Sequence, residues 1–397
     1  MACGLGDDDR EQSLAPWPSV GVAAAIWTDN AGRAHQIELS TPAWINELNP
    51  RITKTTAALV EDATIALAQY DYGYGQQRPW LRSLLIRAEA AASSRIEGIT
   101  APTDHVLRAE LGATDSPNAT LIAANVGAIE MALSQASVMN SESVRAVHRV
   151  LMASEPRHGP GELRKELVWI GGESPLHADY LPPNHRWAAA GIEDVMVFDR
   201  RNDLSRLVQA AVAHAQFESI HPFSDGNGRV GRALVSASLF RQELTAHIGV
   251  VPISAGLVAS PAEYVAALTS YRRGDIEPIV SVTANAVFRA LAAADRLRNA
   301  VDGVIDGWKS GVSGRSDSGI FQALRLLSGR PAVTADLVAE YLSIDVTNSH
   351  AHIRRLVELG VLESRPGIGR RGVWVVPEIV VALDEFAAST VRRGYSH

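Results

Sequence analysis

The sequence predicts a mainly α fold, a helical bundle interrupted by a β-hairpin and followed by a C-terminal winged helix-turn-helix. Three observations predict it. Apolar residues recur at spacings of three and four through most of the chain. One stretch, residues 159–186, breaks that rhythm with strand-like and turn residues. A Gly/Ser-rich stretch without periodicity, Ser310 to Ser318, sets off a final unit of different texture.

In chain order, the first forty residues are rich in Gly, Asp and Pro and then carry no decisive pattern. From about Pro42 to Ala92 the pattern is helical. Trp80, Leu81, Leu84, Leu85, Ala88, Ala91 and Ala92 form a stripe of the kind a buried helix presents. Gly98 suits the C′ position that ends it. Two further helices are expected within 118–155, with Asn118 and Ser141 as caps. In residues 159–186, Val168-Trp169-Ile170 reads as a strand, Gly171-Gly172 as a turn and Pro182-Pro183 as a stop, so a hairpin is expected. Helices at 203–220 and 229–246 flank a loop, and 261–300 is helical again. Beyond the linker, Phe321–Leu327, Thr334–Leu342 and Val346–Leu359 read as helices. Val361-Leu362-Glu363, the Gly367 to Gly372 turn and Val373–Val376 read as a two-stranded wing. The expected organisation is an N-terminal helical region (1–110), a helical core (111–305), a linker (306–318) and a separate winged-helix-like unit (319–397).

Composition bounds the function. The chain has 397 residues and a net charge of −7, which excludes wholesale electrostatic binding to nucleic acid or anionic membrane. Its one cysteine, Cys3, permits neither an internal disulfide nor a cysteine-based metal site. The N-terminal residues lack an apolar core, and no long uncharged apolar run follows. A cytoplasmic protein with no membrane partner is expected.

The chemistry is concentrated in His221-Pro222-Phe223-Ser224-Asp225-Gly226-Asn227-Gly228-Arg229-Val230-Gly231-Arg232. Gly226 and Gly228 around Asn227 allow a tight turn with bare N–H groups at a helix start, a combination that favours anions. Arg229 and Arg232, three apart, could face one phosphate chain. Asp225 is a hard oxygen donor of the kind Mg²⁺ accepts beside phosphates. His221 has a side chain able to take a hydroxyl proton near neutral pH. Taken singly, each feature is as readily a turn, a cap or a solvated face; their joint occurrence points to phosphate chemistry.

This segment resembles the signature of the Fic family, His-x-Phe-x-Asp/Glu-Gly-Asn-Gly-Arg-x-x-Arg, at every specified position. The likeness extends from the helices before residue 100 to about residue 300. It includes GELRKELVWIGG, which resembles the family's hairpin flap, the Glu263-Tyr264 helix and the Arg273-Gly274-Asp275 turn. The resemblance implies a protein adenylyltransferase that moves AMP from ATP to a Ser, Thr or Tyr hydroxyl of a target protein. It further implies His221 as base, Phe223 as a buried anchor and Asp225 as ligand of Mg²⁺ (or Mn²⁺). Gly226, Asn227 and Gly228 would form the anion hole, Arg229 would hold phosphates, and Arg232 would meet the γ-phosphate. The flap, around Leu167–Leu181, would align the target segment. Gly228 stands where the kinase-like branch carries lysine, which favours AMP transfer.

Ser93-Ser94-Arg95-Ile96-Glu97-Gly98 matches the family's inhibitory pattern, Ser/Thr-x-x-x-Glu-Gly/Asn. Ser93 and Glu97 share a helix face, and the resemblance pairs Glu97 with Arg232, within one chain or across a homodimer. Removal of AMP and transfer of another phosphate-linked group stand as alternatives. So does a transcriptional regulator whose nucleotide site only senses ligand. For the C-terminal unit, DNA is a possible partner through Asn348, His350, His352, Arg354 and Arg355 on its third helix and Arg370 and Arg371 in the wing turn. Seven Arg against five acidic residues from Ile320 to Pro377 make that footprint weakly basic.

Overall fold

In the computed structural model, the described residues are 17–29, 31–312, 319–367 and 372–390. The predicted linker residues 313–318 and wing residues 368–371, with Arg370 and Arg371, lie outside them.

The described residues begin with a hairpin that the sequence pattern does not predict. β1 (Gly21–Thr28) and β2 (Ala34–Thr41) pair antiparallel without a break in register. The turn is organised by Asp29, whose carboxylate accepts from the Ala31 and Arg33 amides at 2.9 Å each. The helical stretch expected from Pro42 is in fact α1 (Lys54–Tyr70), a π-turn at Asp71–Gly75 and α2 (Pro79–Ile96). α1 begins at Thr53, whose side chain accepts from the Thr56 amide. α2 ends as read. Gly98 (φ 75°) donates to Arg95 O, and Ile99 N–H reaches Ser94 O. That Schellman closure fixes Glu97 as the C-cap residue.

α3 (Thr103–Glu110), α4 (Pro117–Ser134) and α5 (Ser141–Leu151) follow. Their caps correct the expectation. Ser116, not Asn118, caps α4, and Asn140, not Ser141, caps α5. In each case the residue just before the helix keeps the extended backbone a cap needs. Asn118 instead donates to Thr100 O. The predicted 159–186 hairpin reduces to one antiparallel bridge, Ile170 to Tyr180. The reversal itself is as read, with Gly171 and Gly172 at φ 71° and 66°. A Cβ on either would lie within 2.1 Å of Asp179 or His177 atoms, so the turn is too tight for a side chain.

α6 (Ala188–Asp199), α7 (Arg206–Ile220), α8 (Asn227–Arg241), the short α9 (Ile253–Leu257), α10 (Pro261–Arg272) and α11 (Glu277–Gly311) complete the bundle. Every residue of α7 after Arg206 is buried, as a central helix requires. α11 runs into the expected linker, so residues 306–311 are helical rather than coil.

The C-terminal unit comprises α12 (Gly319–Gly329), β3 (Ala332–Val333), α13 (Ala335–Leu342), α14 (Val346–Glu358), β4 (Glu363–Arg365), β5 (Val373–Val375) and α15 (Pro377–Ser389). The small sheet is antiparallel in the order β3-β5-β4. The helices and wing strands thus follow the expected order, but the unit is not separate. Its Leu327, Leu383 and Phe386 share one apolar core with Leu84 and Leu85 of α2 and Val301 of α11. Asn348, His350, Arg354 and Arg355 are exposed on α14, whereas His352 is half-buried against Gly319.

Candidate active site

The site forms where α7 ends and α8 begins, with α2, α5 and the 159–187 loops around it. His221 caps α7 in the left-handed region (φ 50°, ψ 61°), a position a side chain adopts at a cost. The cost is met by tertiary bonds. The buried Arg164 donates through Nε to His221 O at 2.8 Å and through Nη2 to Pro183 O at 2.5 Å and Ile220 O at 3.4 Å. The His221 ring is half-buried, and its Nδ1 is sealed from solvent without a partner among the described residues. Burial, with Arg164 and Arg272 nearby, pushes the His221 pKa down to about 4. At neutral pH the ring is therefore uncharged and free to accept a proton.

The loop after His221 is clipped shut from inside. Asn227 accepts from Phe223 N–H and donates to Phe223 O, both at 2.9 Å. The Phe223 ring is fully buried and stacks on His148, centroids 3.8 Å apart and planes 3° from parallel. His148 Nδ1 accepts from the Gly161 amide, so Nε2 carries the proton it offers to Asp225 O at 3.1 Å. Burial pushes the His148 pKa down to about 4, which keeps the ring neutral at physiological pH. Gly226 N–H donates to Asp225 Oδ1 at 2.6 Å, and the half-exposed carboxylate has His158 Nε2 and Arg229 Nη2 each 3.8 Å away. Gly226 takes φ 77°, and a Cβ there would meet Met152 Sδ at 3.0 Å. The amides of Asn227, Gly228 and Arg229 are in the first turn of α8 and have no intrahelical acceptor.

The two arginines behave differently. Arg229 is buried, yet its Nε and Nη1 have no partner among the described residues, and its nearest carboxylate, Asp225, is 3.8 Å away. Arg232 is firmly held. Its Nε donates to Ser93 Oγ at 2.9 Å, and its Nη2 to Ser93 O at 2.9 Å and Glu97 Oε1 at 2.6 Å. Burial opposes its charge, but Glu97, Tyr264 and Glu218 around it raise its pKa overall. A Cβ on Gly228 would come within 2.3 Å of Glu97 Oε1 and 2.9 Å of Arg232 Nη1. The Glu97–Arg232 pair thus lies directly over the first turn of α8. The structure brings all the predicted site residues together, except that Arg229 and Arg232 do not converge.

Several residues around the site have no role assigned from the sequence. Arg164 and His148 hold the loop from behind. Glu218, His214 and Tyr264 form a buried polar cluster under Gly231, with His214 Nε2 and Tyr264 Oη 2.7 Å apart and Glu218 4.0 Å from His214 Nδ1. His214 and Glu218 stand four apart on a helix ending at the signature, which is a legible signal; His148 offers none.

Residues 138–239 match the Fic/DOC family, and residues 57–134 match the Fic/DOC family N-terminal region. The chain carries a Fic domain. Protein adenylyltransferase fic-1 of Caenorhabditis elegans is 28% identical over 148 residues, covering 36% of this chain and 26% of that protein. Protein adenylyltransferase Fic of Drosophila mojavensis is 29% identical over 164 residues, 41% of this chain and 30% of its own length. The Fic region thus aligns with about a quarter to a third of the length of these curated relatives. A solved Fic family protein from Desulfovibrio desulfuricans G20 shares the fold at TM-score 0.56 and 20% identity, over 83% of this chain and 98% of that one. No described helix is long and apolar enough to cross a membrane.

Proposed function

We propose that this Fic domain transfers AMP from ATP to a Ser, Thr or Tyr hydroxyl of a target protein, and that Glu97 represses the reaction. The observation that carries the reading is the contrast between the two arginines. Arg229 is buried beside open helix-start amides with two unpartnered nitrogens, which suits an anion. Arg232, which the signature assigns to the end of the phosphate chain, is occupied by Ser93 and Glu97.

In the proposed step, the neutral His221 accepts the proton of the target hydroxyl as its oxygen attacks the α-phosphorus. The new oxygen–phosphorus bond forms as the bond to the β-phosphate oxygen breaks, and pyrophosphate leaves. The amides of Asn227, Gly228 and Arg229 hold the phosphate oxygens, and catalysis is largely positioning and charge stabilisation. Among the described residues no cluster of three His, Cys, Asp or Glu stands ready for a metal. The open Asp225 carboxylate suits Mg²⁺ held jointly with phosphates and water, where it would neutralise phosphate charge. Removal of AMP is a second reading, because Glu97 Oε2 has no partner among the described residues and could orient a water.

The test uses ATP labelled at the α- or the γ-phosphate, Mg²⁺ and host lysate. Protein labelling from the α-position alone is expected, raised at least about tenfold by Glu97→Gly and abolished by adding His221→Ala. Labelling from γ alone, or an unchanged rate in Glu97→Gly, overturns the proposal.

A further inference from the structure

β1 is an open sheet edge. Its sheet has two strands, and on the far side of β2 the Ser40 amide already donates to Leu181 O. Among the described residues, β1 therefore offers a row of unpaired backbone groups along an eight-residue strand. Most of its side chains are exposed, Val22 at 63% and Ile26 at 79%. Edge strands are usually guarded by lysine, proline, a bulge or a covering element. GVAAAIWT has no charge and no proline, and its register with β2 is unbroken. The hairpin is also held rigidly: Asp29 bonds Arg33 Nε at 2.8 Å as well as the turn amides, and Val20 N–H is tied to Arg272 O at 2.8 Å.

The sequence of the strand says what pairs with it. Turned antiparallel about Ala24, it matches itself. On one face Val22 then meets the partner's Ile26, with Ala24 facing its own copy across the axis. On the other face Ala23 meets the partner's Ala25, and Gly21 meets the partner's Trp27, leaving room for the indole. The two branched residues thus face each other, the indole faces a glycine and the centre is lined by alanines, a self-complementary arrangement of the kind a two-fold interface needs. The chain's own first sixteen residues are poor occupants, since Asp7, Asp8, Asp9 and Glu11 against Arg10 make them acidic while the edge is apolar and uncharged.

We infer that β1 is the pairing edge of a homodimer, in which two hairpins join as one four-stranded antiparallel sheet in the order β2-β1-β1-β2 about a two-fold axis at Ala24. This is independent of the reaction proposed above.

Sedimentation velocity of the full chain across a micromolar concentration series is expected to show a dimer. Ile26→Lys, at a position exposed in the monomer, should weaken it at least about tenfold. The double substitution Val22→Glu/Ile26→Lys sets opposite charges across each facing pair and should restore it. With Cys3→Ser removing the one native thiol, Ala24→Cys should cross-link copies on oxidation, since facing Cα atoms in such a ladder lie about 4.5–5.5 Å apart. Ala23→Cys, displaced from its own copy by two positions, should not. A monomer at every concentration, as would follow if another protein takes this edge, overturns the inference. So does a dimer indifferent to Ile26→Lys in which Ala24→Cys fails to cross-link.

Discussion

Gly228 is dictated by what lies over it. The Glu97 carboxylate and the Arg232 guanidinium occupy the volume a Cβ would fill, so one absent methyl lets the Glu97–Arg232 pair and the open start of α8 share a place. Gly231 plays the same part on the inner side, where a Cβ would come within 2.5 Å of Glu218 Oε1. Glu218 is fully enclosed, and burial, opposed by Arg232, raises its pKa from 4.5 to about 7. The folded state therefore binds this proton more tightly than the unfolded one. The group favours folding at low pH, and that contribution is withdrawn as pH rises from about 4.5 to about 7. Glu218→Gln removes the titration. Its stability relative to the parent should climb between pH 5 and about 7 by on the order of 2 kcal/mol and stay level above, read from denaturant midpoints at each pH. A difference independent of pH would show that Glu218 does not ionise in this window. At this scale the signature residues were legible, because a helix start with glycines, arginines and a carboxylate has few other uses. Arg164 and His148 were not, because their work is to hold backbone carbonyls or a ring from distant segments, and nothing local marks that.

Helix ends show how far local chemistry reaches. Gly98 was readable because the left-handed C′ position admits glycine far more easily than other residues. The caps at Ser116 and Asn140 were missed by one or two residues, since Ser116-Pro117-Asn118 and Asn140-Ser141 each offer competing cap residues. β1 was invisible for another reason. Its alanine run has helix-forming composition, and exposure on both faces removes the alternation that marks a half-buried strand. The 159–186 segment erred the opposite way: glycines and β-formers gave the reversal, but only one bridge forms. Gly98 also sets the direction in which Glu97 leaves α2. Nothing lies within 4 Å of a Cβ placed there, so Gly98→Ala incurs the left-handed penalty alone, about 1 kcal/mol. A denaturant midpoint lowered by that amount is the expected result. An unchanged midpoint would mean that the helix end rearranges without cost, and the placement of Glu97 would no longer be tied to the Schellman closure.

The whole molecule is more unified than the linker composition suggested. A Gly/Ser-rich stretch reports freedom along the chain but says nothing of whether the flanking units dock, and here they do. α15 lies on α2 and α11, where Phe386 and Leu383 enter the common core. Arg95, in the last turn of α2, donates to Ala387 O and, at 3.4 Å, to Thr390 Oγ1. Arg365 pairs with Asp104 at 2.8 Å, and the Thr103 amide with Asp384. The helix that carries Ser93 and Glu97 is thus held by the Fic bundle on one side and by the C-terminal unit on the other. Because the apolar contacts cross between them, unfolding should be a single cooperative transition, with far-UV circular dichroism and tryptophan fluorescence superimposing. Phe386→Ala should lower the whole transition by about 3 kcal/mol or more, as large-to-small changes in a packed core do. If it melted the C-terminal unit first and left the bundle's transition in place, the two units would be separate folding domains. α2 would then owe its position to the bundle alone.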